Sequence, residues 1–309
     1  MDYRIVDSHI SKAKIRLINE MLKRAVKPEQ VSVMQEIVPM RSRMDRVGMA
    51  MTQAPGVFHE QFSIKHVAVE WLYTVPASEK KVLLYFHGGG YVTGSPVSHR
   101  AMVSWLAKRL QCRVLTFQYR KAPEHPFPAA SEDAVLIYRW LLENGYDASG
   151  IAFAGDSAGG GLVFSTLLRI KQHEMPMPSC AVGISPWLDL TMSGESMRSR
   201  GHRDFILSHS MLDQFADLYV GNRDRRHPLV SPLFGDVAGF PPVLLQVGSD
   251  EVLLDDSVRM MHHLHEAGVD VRLEEWRNMQ HVWHFTSRFQ QGGKGALKHI
   301  AEFLKQHLR

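Results

Sequence analysis

The chain has 309 residues, more than one average domain needs but within the range that α/β folds reach as a single core with insertions. Its 45% apolar and 22% charged residues are those of an ordinary globular protein, and no apolar run is long enough to cross a bilayer or anchor stably in one. A net charge of +4, scattered without an arginine-rich stripe, leaves no nucleic-acid footprint. The first residues, Met1-Asp-Tyr-Arg-Ile-Val-Asp7, lack the charged-then-apolar plan of a secretory signal, so a cytoplasmic location is expected. Cys112 and Cys180 each open an expected buried strand; they make neither a disulfide framework nor a zinc site.

From Ser8 to about Ala25, Ile10, Ile15, Leu17, Ile18, Met21 and Leu22 recur at helical spacing. Pro28 suits the first turn of a second helix through Val31, Met34 and Ile37, ended at Pro39. Residues 1–50 are therefore expected as a helical part that precedes any strand and packs over the main domain as one piece of a cap. Met34, Met40, Met44, Met49 and Met51 make this region adaptable, either as plain packing or as a pliable wall over an apolar pocket.

Two β-rich runs, 57–67 and 68–74, are close enough to pair antiparallel. Strand and helix then alternate: strand 82–86, helix 97–110, strand 112–119, helix 130–143, strand 151–154 and strand 181–184. After an irregular stretch come strand 243–247, helix 256–267, strand 271–276 and helix 296–307. Such alternation predicts an α/β fold, a mostly parallel sheet with helices on both faces. The irregular stretch 188–232, with a helix at Met211–Val220, follows a strand's C-terminal end, where open α/β sheets bind ligands. It reads as a second piece of cap, leaving 51–187 and 233–309 as the main domain.

Strand 151–154 runs into Gly155-Asp-Ser-Ala-Gly159. A serine between two glycines on a strand-to-helix turn is the sequence form of a nucleophile elbow, with a helix from Ala158 aiming unpaired N–H groups at the Ser157 oxygen. The same letters, through Gly155, Gly159 and Gly161, fit the glycine spacing of short-chain dehydrogenases. That rival fails because the motif sits mid-chain behind several strands and no tyrosine has a lysine four residues later. After strand 82–86 stands His87-Gly-Gly-Gly-Tyr91. Glycines there let backbone N–H groups approach a developing oxyanion; the expected donors are Gly88 and Gly89, with Ala158 as the third. His87 reads as a positioning residue.

Tyr85-Phe-His-Gly-Gly-Gly-Tyr91, Tyr119-Arg-Lys-Ala-Pro-Glu-His-Pro-Phe-Pro-Ala-Ala130, Gly155-Asp-Ser-Ala-Gly-Gly160 and Ser231-Pro-Leu-Phe234 together resemble the hormone-sensitive-lipase-like family of bacterial esterases, a branch of the α/β-hydrolase fold. The resemblance spans Tyr85 to the C-terminus; the N-terminal helices match in character only. It implies a capped serine carboxylesterase for small, relatively apolar short-chain esters, with water as the second substrate and no cofactor. It also implies a homodimer through the sheet edge at 271–276.

The fold's chain order is serine, acid, histidine. The acid lies in Gly248-Ser-Asp-Glu251, where Asp250 and Glu251 compete; Asp255 and Asp256 suit a helix N-terminus. The family resembles D-P-L-x-D here, and counting back from Asp255 puts Glu251 at its first acid, where aspartate is usual. Glu251 is favoured, with Asp250 as the alternative. For the base, His281 holds the motif's position and His284 is its neighbour. His262, His263 and His265 invite a metal reading, but adjacent helix positions diverge, and a helix surface explains them better. The other functional class is a non-catalytic small-ligand receptor on the same fold; the presence of both Ser157 and His281 argues against it.

Overall fold

The computed structural model describes residues 1–7, 33–287 and 290–308. Its strands are β1 (Asp2–Val6), β2 (Val57–Ile64), β3 (Val67–Thr74), β4 (Ser78–Phe86), β5 (Cys112–Phe117), β6 (Ile151–Asp156), β7 (Cys180–Ile184), β8 (Val243–Gly248) and β9 (Val271–Trp276). They form one nine-stranded sheet in the order β1-β9-β8-β7-β6-β4-β5-β3-β2. Only β3 runs antiparallel to its neighbours β2 and β5; the other pairings are parallel. Every residue of β6, β7 and β8 is buried, as expected of parallel strands covered on both faces.

The helices are α1 (Val33–Ala50), α2 (Pro96–Leu110), α3 (Ala129–Glu143), α4 (Ala158–Gln172), α5 (Ser196–Ser199), α6 (His209–Val220), α7 (Leu254–Glu266) and α8 (Gln291–His307). Apolar residues of α3, α4 and α7 share one core layer with one side of the sheet; those of α2 and α8 share the other. Helix α2 starts sharply because Ser95 and Ser98 cap each other's backbone N–H and Pro96 opens the first turn. Among the described residues no helix is long and apolar enough to cross a membrane. Cys112 and Cys180 lie in the core, their thiols pushed up to about 12 by burial.

Three expectations change near the N-terminus. The expected helix from Ser8 lies outside the described residues. Asp2–Val6 is a strand, so residues 1–50 are not purely helical and do not precede the sheet. Its pairing with β9 supplies partners for backbone groups on the flank expected to form a dimer, so the edge at 271–276 is covered and β1 is the edge instead. Helix α1 also runs through Pro39 to Ala50. Tertiary contacts hold the continuation: Arg41 donates to Val92 O and Ala122 O and pairs with Glu124, and Gly48 lies so close to α2 that a Cβ would stand 2.5 Å from Ser98 Cα. Met49 faces solvent while Met40 packs on the core, so the methionines do not form one wall.

Candidate active site

The C-terminal ends of β4, β6, β8 and β9 meet at one end of the sheet. Strand β6 ends at Asp156 and α4 begins at Ala158, leaving Ser157 alone on the turn with φ +54° and ψ −125°. This is a strained conformation for a residue with a side chain, kept only when its surroundings fix it. They do so here. Ser157 N–H donates to Ile184 O (2.9 Å), and its carbonyl accepts from Gly161 N and Trp187 N (3.0 Å each). A Cβ on Gly155 would stand 2.5 Å from Gly159 O, and one on Gly159 2.2 Å from Phe86 O, so only glycine fits on either side.

On the other flank, Glu251 is fully buried and accepts three hydrogen bonds. Ser185 Oγ (2.6 Å) and Gly248 N–H (2.7 Å) donate to Oε1, and His281 Nδ1 lies 2.8 Å from Oε2. This fixes the ring and assigns the Nδ1 proton to the carboxylate, leaving Nε2 as the free face. Ser185 also accepts from Val282 N–H (3.2 Å), so one hydroxyl joins the acid to the histidine loop. Because Ser157 is bonded to Ile184, the residue before Ser185, the two flanks share the end of β7. Burial pushes the His281 imidazole down, but the Glu251 hydrogen bond and charge, with Asp204 and Asp156, reverse it and raise its affinity for a proton.

Asp250 is elsewhere. It interacts with Ser249 Oγ and lies 3.7 Å from Arg203, and burial raises its pKa against that arginine. His284 does not meet an acid either. Its Nε2 contacts Gln246 Oε1 (2.8 Å), which ties it through Gln246 Nε2 to Glu274, and burial pushes its pKa down to about 3. A ring that neutral and that committed is not a base.

The loop expected to hold the oxyanion departs from that expectation at one residue. Gly88 N–H donates to Asp156 Oδ1 (3.1 Å) and lies 3.2 Å from His99 Nε2, so it is already taken within the protein. Among the described residues, the N–H groups of Gly89 and Gly90 find no protein acceptor; Gly89 O receives Val92 N and Thr93 N. Their φ values of +120° and +63° are what glycine permits. At Ala158, the first residue of a fifteen-residue helix, the N–H is one of the unpaired groups of the first turn. His87 donates from Nδ1 to Gly88 O (2.8 Å) and stacks 4.1 Å from Tyr119; burial keeps it well below its ordinary pKa and neutral.

Residues unremarked in the sequence tie the stretch between β7 and β8 to this site. Asp204 accepts from Val252 N–H (3.0 Å), beside Glu251, while Gln280, beside His281, bonds Phe205 N–H and Arg203 O. On the opposite side, Phe215 of α6 fills the space over Gly90 (2.3 Å from where a Cβ would be), and Tyr219 stacks on Tyr91 at 3.8 Å. Among the described residues no cluster of three or more histidine, cysteine or acidic side chains could hold a metal ion, and His263 instead contacts Gly235 O.

Comparison with known proteins places this geometry in context. A family model described as the alpha/beta hydrolase fold matches residues 83–285. An acetyl-hydrolase of Streptomyces hygroscopicus is 41% identical over 271 residues, covering 87% of this chain and 90% of that protein. The crystal structure of an esterase from the bacterial hormone-sensitive lipase family superposes with a TM-score of 0.91 at 38% identity, covering 97% of this chain and 100% of that one. The protein EstE5, soaked with p-nitrophenyl butyrate, superposes at 0.92 with 38% identity, covering 96% and 99%.

Proposed function

The chain belongs to the α/β-hydrolase fold, in its branch of hormone-sensitive-lipase-like carboxylic ester hydrolases, and from that premise we propose that it works through Ser157, His281 and Glu251 by way of an acyl-enzyme. His281 Nε2 takes the Ser157 hydroxyl proton as Oγ attacks the ester carbonyl. The tetrahedral oxyanion is held by the unpaired N–H groups of Gly89, Gly90 and Ala158. The imidazolium then protonates the leaving alcohol as the C–O bond breaks. Water, deprotonated by the same nitrogen, attacks the acyl-enzyme; the returning proton restores Ser157 as the acid departs. Glu251 keeps the imidazole oriented and stabilises its cation, and no step calls on a cofactor.

One juxtaposition carries this reading: a buried Glu251–His281 pair at 2.8 Å beside the strand end to which strained Ser157 is bonded. The surroundings of the oxyanion loop support the substrate class. Tyr91, Trp187, Phe215 and Tyr219 are buried around the oxyanion loop, and Ser157 itself is only 8% exposed, which favours a small apolar acyl group over a long chain. The acetyl-hydrolase name of the Streptomyces relative points the same way. We keep residues 188–232 as the cap, and with them the helical part of residues 1–50, less the strand Asp2–Val6.

Hydrolysis of p-nitrophenyl butyrate tests the reading. Ser157→Ala is expected to lower kcat by on the order of 10⁶, with the fold intact by circular dichroism. A variant that still turns over at a tenth of the wild-type rate would rule out Ser157 as nucleophile and point to another catalytic group, whereas a wild type inert on the ester would revive the receptor alternative.

A further inference from the structure

A carboxylate enclosed by protein is costly unless donors surround it. Asp156 is 2% exposed and directly precedes Ser157, yet its pKa lies below the ordinary aspartate value: burial raises it, but His99, Tyr85 and the more distant His281 outweigh that. Its donors come from three places. Tyr85 OH, from β4, donates to Oδ1 at 2.7 Å; Gly88 N–H donates to the same oxygen at 3.1 Å; His99 Nε2, from α2, faces Oδ2 at 3.3 Å. On the far side of the ring, Nδ1 lies 2.8 Å from Ser98 Oγ and 3.1 Å from Ser95 O, so the helix cap of α2 fixes the imidazole. Ser98 Oγ in turn donates to Ser95 O at 2.9 Å, which closes the cap around the ring.

We propose that Asp156, held by Tyr85 and His99, is the positioning residue that sets which glycine N–H groups of the oxyanion loop face the substrate. The proposal rests on the reading of Ser157 as nucleophile. The space around Gly88 leaves it one orientation. A Cβ there would stand 2.3 Å from Asp156 Oδ2, and one on Gly94 would stand 2.0 Å from Gly88 O, so the peptide is pressed between the carboxylate and the returning loop. With Gly88 N–H taken by Asp156, the N–H groups of Gly89 and Gly90 are the ones of the loop left without a protein acceptor among the described residues. Because Asp156 and Ser157 are consecutive, the residue that orients the donors and the residue that delivers the oxygen cannot drift apart by more than one peptide allows. Charge alone would argue against an acid at this position, since a carboxylate beside a developing oxyanion opposes it. Orientation, not charge, is what it supplies.

The full-length protein, assayed with p-nitrophenyl butyrate and with a trifluoromethyl ketone that forms a hemiketal on the nucleophile, tests this. Asp156→Ala is expected to lower kcat by about 10²–10³-fold with KM within about threefold, and to weaken ketone inhibition by the same factor as kcat/KM. Asp156→Asn keeps an oxygen for Gly88 N–H and is expected within about tenfold of wild type in both readouts. Tyr85→Phe, which removes one support and leaves the acid, is expected to lose about three- to tenfold in kcat and ketone affinity together; it carries the test if Asp156→Ala does not fold. Wild-type kcat and ketone affinity in Asp156→Ala, an Asp156→Asn as impaired as Asp156→Ala, or an unaltered Tyr85→Phe beside an unfolded Asp156→Ala each overturns the proposal. Run alongside, a Ser157→Ala that still hydrolyses ester overturns the nucleophile assignment and this proposal with it. An inert Ser157→Ala beside a wild-type-like Asp156→Ala overturns this proposal alone.

Discussion

The two flanks of the site are built from different materials. The elbow and the loop proposed to hold the oxyanion are made of backbone: glycines where no Cβ fits, a serine held at positive φ by hydrogen bonds to its own peptide groups, and loop N–H groups left without a protein acceptor among the described residues. The acid–histidine flank is made of side chains: Ser185, Glu251 and His281 in a short buried chain of hydrogen bonds. Backbone is positioned by sterics and tolerates almost no change of volume. Side-chain networks are positioned by protons and charge, so they weaken by degrees and respond to pH. The proposed reaction therefore has one half that breaks mechanically and one half that titrates.

The sharpest way to expose the titrating half is Glu251→Gln, which is expected to lower kcat by about 10⁴-fold, as when a buried triad acid loses its charge elsewhere. The sign of its pH effect follows from the pairing. Glu251 raises the proton affinity of His281, and the neutral ring is the active form, so wild-type kcat/KM should climb with pH through a limb above the ordinary histidine value of about 6.5. Losing the charge should move that limb to lower pH. Asp250→Asn is the control, expected within about threefold of wild type; if it is the crippled one of the pair, the acid has been misassigned.

The mechanical half is probed by Gly159→Ala. One added methyl group stands 2.2 Å from Phe86 O, and the strand-to-helix crossing must open to admit it. The expected loss is about 3 kcal/mol or more of stability, read as a drop in Tm, with kcat falling about 10²-fold or more and no displacement of the pH limb. A shifted limb without a stability loss would erase the distinction between the flanks. The mildest test is Ser185→Ala. It removes one donor to Glu251 and one acceptor for Val282 N–H, and is expected to reduce kcat by about 10- to 100-fold with Tm nearly kept. Activity equal to wild type would mean that Gly248 N–H alone can hold the acid.

Much of this was legible in the sequence because the fold writes its motifs at strand ends. The strand–helix alternation, the elbow at Ser157 and the nearness of Glu251 and His281 to the ends of β8 and β9 all follow from local pattern. The missed parts are those decided by distant partners. Three identical glycines carry no sign of which N–H the protein itself takes up; Gly88 is bonded by a carboxylate sixty-eight residues later in the chain. Asp2–Val6 is too short to show a period, and it is a strand only because β9 offers an edge. Pro39 marks a helix end by local rule, but Arg41 and Gly48 find their contacts farther on and carry α1 through it. Ser185 and Asp204 carry no motif at all.

The stretch between β7 and β8 has a consequence for altering this protein. It is bonded beside the acid through Asp204, beside the histidine through Gln280, and it rests on the oxyanion loop through Phe215 and Tyr219. Pocket shape and catalytic alignment are therefore not separable design variables. A library that varies 204–219 to admit larger esters will sample changes in rate constant along with changes in preference, and many variants chosen for room will be slow. Compensating substitutions should then arise in the strand-end loops rather than in that stretch.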